Sequence, residues 1–269
     1  MEVTLHTPET IFSPRHVPSW LMLSAAAGMV NGFAFLICQQ FVTHVTGTVT
    51  RLGLEWQHTS LAFEYAVVMV GFLAGAVAAV LAIQARAQER SRTRWATPLF
   101  TVAMILTAVG IAGSAGWLGE VSGAIASDPP PVLLLTTLAF AMGLQNAAVA
   151  STTGLAVRTT HLTGPMTDLG IHLGTALLAT AQERRAALRG AALRGGKVVS
   201  FMAGAGISVV LIGLLGYLTL LVAAAFVLCA AVLSFIPNWS PSDFPFRLSR
   251  TATSTSLITR VAGKQSTST

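Results

Sequence analysis

The chain has 269 residues, 53% hydrophobic and only 10% charged, with a mean hydropathy of +0.69. Soluble domains run at about 25% charged, so a soluble globular fold is excluded in favour of a polytopic protein in contact with a lipid bilayer. The net charge of +6 would suggest nucleic acid in a soluble protein, but here the basic residues stand in short patches between apolar runs. That is the pattern of membrane topology, and no nucleic-acid partner is expected.

Residues 1–18 carry Pro8, Pro14 and Pro18 and read as an irregular cytoplasmic tail without the charged start and apolar core of a cleavable signal. The first repeat is expected over residues 19–118. Its first span runs from Trp20 to about Cys38, its second from about Leu61 to Ile83, and its third from Pro98 to near Leu118. Residues 119–131, with Glu120, Asp128 and three prolines, read as an extracytoplasmic loop. The second repeat is expected over 132–236. Its first span ends near Ala150, and a basic stretch from Arg184 to Lys197 reads as a connection. The apolar run Val198–Ile236 is too long for one crossing at about 1.5 Å per residue, and Gly213, Gly216 and Tyr217 are its expected turn. Residues 237–269 are Ser/Thr-rich and basic and read as a disordered cytoplasmic tail. Cys38 and Cys229 both lie in apolar runs, without the spacing of a metal site or disulfide framework. No metal or other cofactor is expected.

The chain contains a polar segment twice. Thr43-His44-Val45-Thr46-Gly47-Thr48-Val49-Thr50-Arg51-Leu52-Gly53 agrees at seven of eleven positions with Thr160-His161-Leu162-Thr163-Gly164-Pro165-Met166-Thr167-Asp168-Leu169-Gly170, 117 positions later. Gly28-x-x-Asn31 likewise parallels Gly143-x-x-Asn146, and Phe72–Ala76 parallels Phe201–Ala205. The expected fold is all-α, about six spans arranged as two three-helix repeats with broken or re-entrant segments. An odd number of spans per repeat forces the second to insert upside down. With six spans, one side collects fourteen of the sixteen basic residues, all but Arg51 and Arg158. Both termini are therefore expected in the cytoplasm.

Thr163-Gly164-Pro165 is a helix-start signal in which Thr163 can cap and Pro165 suits the first turn, and Thr46-Gly47 can act the same way. In lipid, backbone freed by such a break must face protein or a water-filled cavity, and helix starts favour anions. Small residues are also used simply for close helix packing. The candidate solute-binding residues are Asn31, Thr46, Gly47, Arg51, Gln145, Asn146, Thr163, Gly164 and Asp168. His44 and His161 are candidates for a proton or ion path, with neutral, hydrogen-bonded histidines near the interface as the plainer reading. Arg51 and Asp168 occupy matched positions and could pair, or could instead snorkel and cap separately. His58 and His172 have no echo and read as structural.

Gly28-x-x-Asn31, Phe41-x-x-His44-x-x-Gly47, Met142-Gly143-x-Gln145-Asn146 and Thr159-Thr160-x-x-Thr163-Gly164 resemble the YoaK-type family of bacterial inner-membrane proteins, a domain of unknown function, over about residues 20–236. The resemblance implies a multi-span fold in the bacterial inner membrane and no established substrate. The family usually has an acid where Asn31 stands and an Asn where Thr48 and Pro165 stand. A neutral amide cannot titrate, so these departures weaken the transfer of a proton-coupled mechanism. The expected function is a small secondary transporter or permease for an unidentified small polar or anionic solute, with a non-transporting scaffold or sensor as the alternative. No enzyme is expected, because no HExxH or GxSxG motif is present. Self-association into a homo-oligomer is left open.

Overall fold

Apolar runs in lipid can satisfy their backbone only as helices or closed barrels, and every regular element among the described residues is helical. The computed structural model describes residues 5–6, 8–85, 96–118 and 132–235. The basic stretch Arg86–Arg94, the loop over 119–131 and the tail over 237–269 lie outside them. The helices are α1 (Pro8–Ile11), α2 (Val17–Cys38), α3 (Val45–Leu54), α4 (Thr59–Ala85), α5 (Thr97–Ser114), α6 (Val132–Thr152), α7 (Thr163–Leu178), α8 (Ala181–Leu215) and α9 (Thr219–Phe235).

Among the described residues, five stretches are long and apolar enough to cross a membrane, and the last, Ala181–Phe235, runs for 55 residues. It folds back on itself. Helix α8 stops at Leu215, Gly216 takes φ 55° and ψ −128°, and one 3-10 turn over Gly216–Leu218 leads into α9. A side chain would be strained in that conformation, which is why the reversal falls on a glycine.

The basic stretch Arg184–Lys197 is not a connecting loop, as its charge suggested, but the opening of α8. Its Ala, Leu and Arg residues are strong helix formers. A reciprocal cap starts it: the Thr180 N–H and hydroxyl donate to Glu183 Oε2 at 3.2 and 2.8 Å.

Helices α2 and α6 are central, each with 61% of its apolar window buried against 28% for α4. Helix α2 packs along α8, and α6 along α4. Glycines set how closely these pairs approach. A Cβ on Gly28 would collide with the Phe201 carbonyl and one on Gly204 with the Ala25 carbonyl, while Gly143 meets Phe72 and Gly75 meets Phe140 in the same way. Backbones that touch through missing side chains are the usual adhesive where lipid supplies no hydrophobic drive. Helices α5 and α9 pack on each other, and α3 and α7 lie on α4 and α8.

Where the sequence read as an irregular tail, Leu5, His6 and His16 pack against the bundle. The Leu5 and His6 N–H groups donate to the Thr152 carbonyl at 3.1 and 3.0 Å. The His6 ring packs against His16, Trp20 and Phe235 with centroids 4.6, 5.1 and 5.7 Å away. At another point of the bundle the Tyr217 hydroxyl donates to the Leu118 carbonyl at 2.9 Å, next to Phe33.

Candidate functional site

The two polar segments begin where α2 and α6 break. Among the described residues, the non-glycine residues with left-handed φ are Gln39 (54°) and Leu155 (66°), one just past each helix. Such backbone persists only where its surroundings hold it, and it concentrates at functional sites. The Gln39 and Leu155 N–H groups donate back to the Phe35 and Ala150 carbonyls at 2.9 and 2.7 Å, and the chain that follows is held by asparagine. Val42 N–H and Thr43 N–H each donate to Asn31 Oδ1 at 3.1 Å, and the Thr43 hydroxyl donates to the same atom at 2.9 Å. In the later segment, Thr159 N–H and Thr160 N–H donate to Asn146 Oδ1 at 3.1 and 3.4 Å. Asn31 stands seven residues before the end of α2, about 10 Å back along the axis. The chain therefore doubles back alongside its own helix before α3 begins.

Helix α3 starts at Val45 with His44 as N-cap, and α7 at Thr163 with Leu162 as N-cap; neither has a side-chain cap. Thr163 is thus the first helical residue and not the cap its sequence suggested. The helix begins one position earlier than a Thr163 cap would have it, a few residues after the backbone that Asn146 holds. Pro165 stays in the first turn, where its missing N–H costs nothing. Gly47 and Gly164 lie under histidines: a Cβ on Gly47 would come 2.6 Å from His44 Nδ1, and one on Gly164 3.3 Å from His161.

Between the two helix starts lies a cavity of about 410 Å³. Its wall is built from matched positions. Asn31 and Asn146, Thr43 and Thr160, His44 and His161, Thr46 and Thr163 and Phe72 and Phe201 are identical pairs, and Val45 faces Leu162 as a similar one. The remaining pair, Phe41 and Arg158, again 117 positions apart, differs in kind. Phe41 stacks on Phe35 with ring centroids 4.5 Å apart. Arg158 also lines an adjoining cavity of about 140 Å³ with His161, Gly164, Asp168, Arg194 and Lys197. Lys197 is only 3% exposed, and its Nζ donates to the Arg158 carbonyl.

Residues 19–233 match the family described as Protein of unknown function (DUF1275). The chain belongs to that family. No curated protein and no solved structure matches it.

In this DUF1275 protein the cavity brings together Asn31, His44, Thr46, Asn146, His161 and Thr163. Other candidates lie elsewhere. Gln145 is fully buried between α6, α2 and the returning chain, its Nε2 donating to the Leu23 carbonyl at 3.0 Å and Thr159 Oγ1 at 3.1 Å. Arg51 and Asp168 do not pair: Arg51 Nη1 donates to the Tyr65 hydroxyl at 3.0 Å, and Asp168 Oδ2 lies 3.6 Å from Arg194 Nε. Arg158, Lys197 and Glu64 were not singled out by the sequence reading. Lys197 sat inside a basic stretch that topology explained, and Arg158 stood alone beside the second polar segment, outside that count. Glu64 is 8% exposed on α4, and its signal was an acid inside an apolar run.

Proposed function

We propose that this DUF1275 protein is a small secondary transporter or permease for a small polar or anionic solute, built as two inverted three-span repeats with the solute between them. The observation that carries this reading is the cavity of about 410 Å³ walled in matched pairs by both Thr-Gly segments and both asparagine-bearing helices. Its volume falls in the range of small-molecule sites, about 300–1,000 Å³. Its wall carries six Asn and Thr residues, which suit a polar solute. Reciprocal glycine contacts between α2 and α8 and between α4 and α6 support the repeat, because a two-fold operation exchanges one pair of helices for the other. On this reading the chain lies in a bacterial inner membrane with both termini in the cytoplasm, and it carries out no catalysis.

The test is uptake of a panel of small solutes by proteoliposomes holding the full chain, alongside cysteine labelling. Protein-dependent uptake that falls in Asn31→Ala and Asp168→Asn is the expected result. In a Cys38→Ser/Cys229→Ser background, Thr46→Cys and Thr163→Cys should both react with small aqueous thiol reagents. No uptake, with both thiols unreactive in every condition, would leave a scaffold or sensor whose polar segments only pack helices.

A further inference from the structure

We propose that the cavity binds a small organic anion bearing one carboxylate on an apolar body, with the carboxylate held at Arg158. This rests on the reading of the cavity as a solute site, though not on transport. The wall pairs its residues in kind at every matched position but one, where Phe41 is answered by Arg158. Arg158 is therefore the feature that gives an otherwise balanced cavity a charged end. Arg158 is exposed, its guanidinium has no hydrogen-bond or ion-pair partner among the described residues, and it borders both the large cavity and the smaller one beside it.

The surroundings sharpen the point. The smaller cavity sets three cations, Arg158, Arg194 and Lys197, against the single carboxylate of Asp168, which already lies 3.6 Å from Arg194. Lys197 is buried, and its hydrogen bond goes to the Arg158 carbonyl. A buried ammonium that shares the one Asp168 carboxylate with two other cations is under-compensated, and a bound carboxylate offsets that. The matched positions in the first half, by the offset relating Phe72 to Phe201, are Tyr65 for Arg194 and Val68 for Lys197. The excess charge is thus confined to one end.

A guanidinium fork suits a carboxylate, which it can grip with two parallel hydrogen bonds. One arginine on the wall of the large cavity matches one negative charge. The apolar body is called for by Phe41, Phe72 and Phe201, which a fully hydrated inorganic anion would leave without a partner.

The experiment measures binding to the full chain in nanodiscs, with benzoate as probe, benzamide as its neutral counterpart and sulfate as an inorganic anion. Benzoate should bind saturably in the millimolar range or tighter, with benzamide and sulfate at least about tenfold weaker, a usual margin for a charge-assisted pair. Arg158→Gln should weaken benzoate by a similar factor without weakening benzamide, and Arg158→Lys should keep part of the preference. If Arg158→Gln does not fold, the ranking of the three probes on the unaltered protein decides. Equal affinity for benzoate and benzamide, sulfate binding tighter than benzoate, no benzoate binding, or a folded Arg158→Gln that binds benzoate normally would each overturn the proposal. Benzoate binding that follows Arg158, without uptake of any solute, would sink transport and leave this site standing. Uptake of uncharged solutes with no Arg158-dependent carboxylate binding would do the reverse.

Discussion

Asp168 pairs with Arg194 and not with Arg51, although Arg51 and Asp168 occupy matched positions in the two polar segments. Arg51 is held by Tyr65, and Tyr65 and Arg194 are themselves separated by the 129 positions that relate Phe72 to Phe201. Each short helix therefore reaches the same place on its neighbour, with different chemistry. A double-mutant cycle on Asp168 and Arg194 should give a coupling of about 0.2–1 kcal/mol, small because Asp168 is half exposed. A cycle on Arg51 and Asp168 should give none, and exchanging those two residues should rescue neither single reversal. Coupling between Arg51 and Asp168 comparable to the Arg194 value would contradict this arrangement.

Asn31→Ala removes an acceptor shared by three donors, two of them buried backbone N–H groups. Leaving those unpaired should cost about 2–3 kcal/mol, read as a lower Tm in detergent. Asn146→Ala should cost less, since Asn146 accepts two bonds, one of them long at 3.4 Å, and is only half-buried. Asn31→Asp keeps the acceptor and should retain most of the stability. Equal losses for Asn31→Ala and Asn31→Asp would show that the hydrogen bonds are not what matters.

Gly28→Ala and Gly143→Ala each push a methyl group into a backbone carbonyl that belongs to a packed helix and cannot swing aside. Each should destabilise by about 3 kcal/mol or more, with loss of monodisperse protein on size-exclusion chromatography. Gly206, on α8, faces open space. Gly206→Ala should be neutral or slightly stabilising, as glycine is the poorer helix former by about 1 kcal/mol. Tolerance of alanine at Gly28 would mean that α2 and α8 are not as close as described.

His6 is buried against His16, Trp20 and Phe235, and its Nε2 has no hydrogen-bond partner among the described residues. Burial, assisted by the charge of His16, lowers its pKa from 6.5 to about 4. The unfolded chain thus binds a proton at higher pH than the folded one. The contribution of His6 is fully present above about pH 6.5 and is lost as pH falls toward about 4. The Tm should drop on acidification from pH 7 to 5, and His6→Phe, which keeps the aromatic packing, should flatten that drop. An unchanged pH profile in His6→Phe would assign the effect to other groups.

Reporter fusions at residue 125 and at the C-terminus should report opposite sides of the membrane, with the C-terminus cytoplasmic, as the arginine and lysine distribution requires. Both reporters on one side would mean that the chain crosses an even number of times between them, against the three crossings that α6, α8 and α9 imply.

Hydropathy alone was enough for the all-helical membrane class, because twenty apolar residues in lipid leave the backbone few alternatives. The glycine at the last reversal and the kinship of the two Thr-Gly segments were also legible, since both rest on local chain geometry or on direct repetition. The sequence could not tell that Arg184–Lys197 opens a helix, because charge marks topology and helix propensity marks conformation, and here the two disagree. Nor could it tell that Asn31 and Asn146 clamp returning backbone, that Asp168 turns to Arg194, or that Phe41 and Arg158 face one cavity. Those outcomes depend on which helix lies beside which. Once glycines bring α2 against α8 and α4 against α6, side chains more than a hundred residues apart become neighbours, and only the packed bundle decides which of them meet.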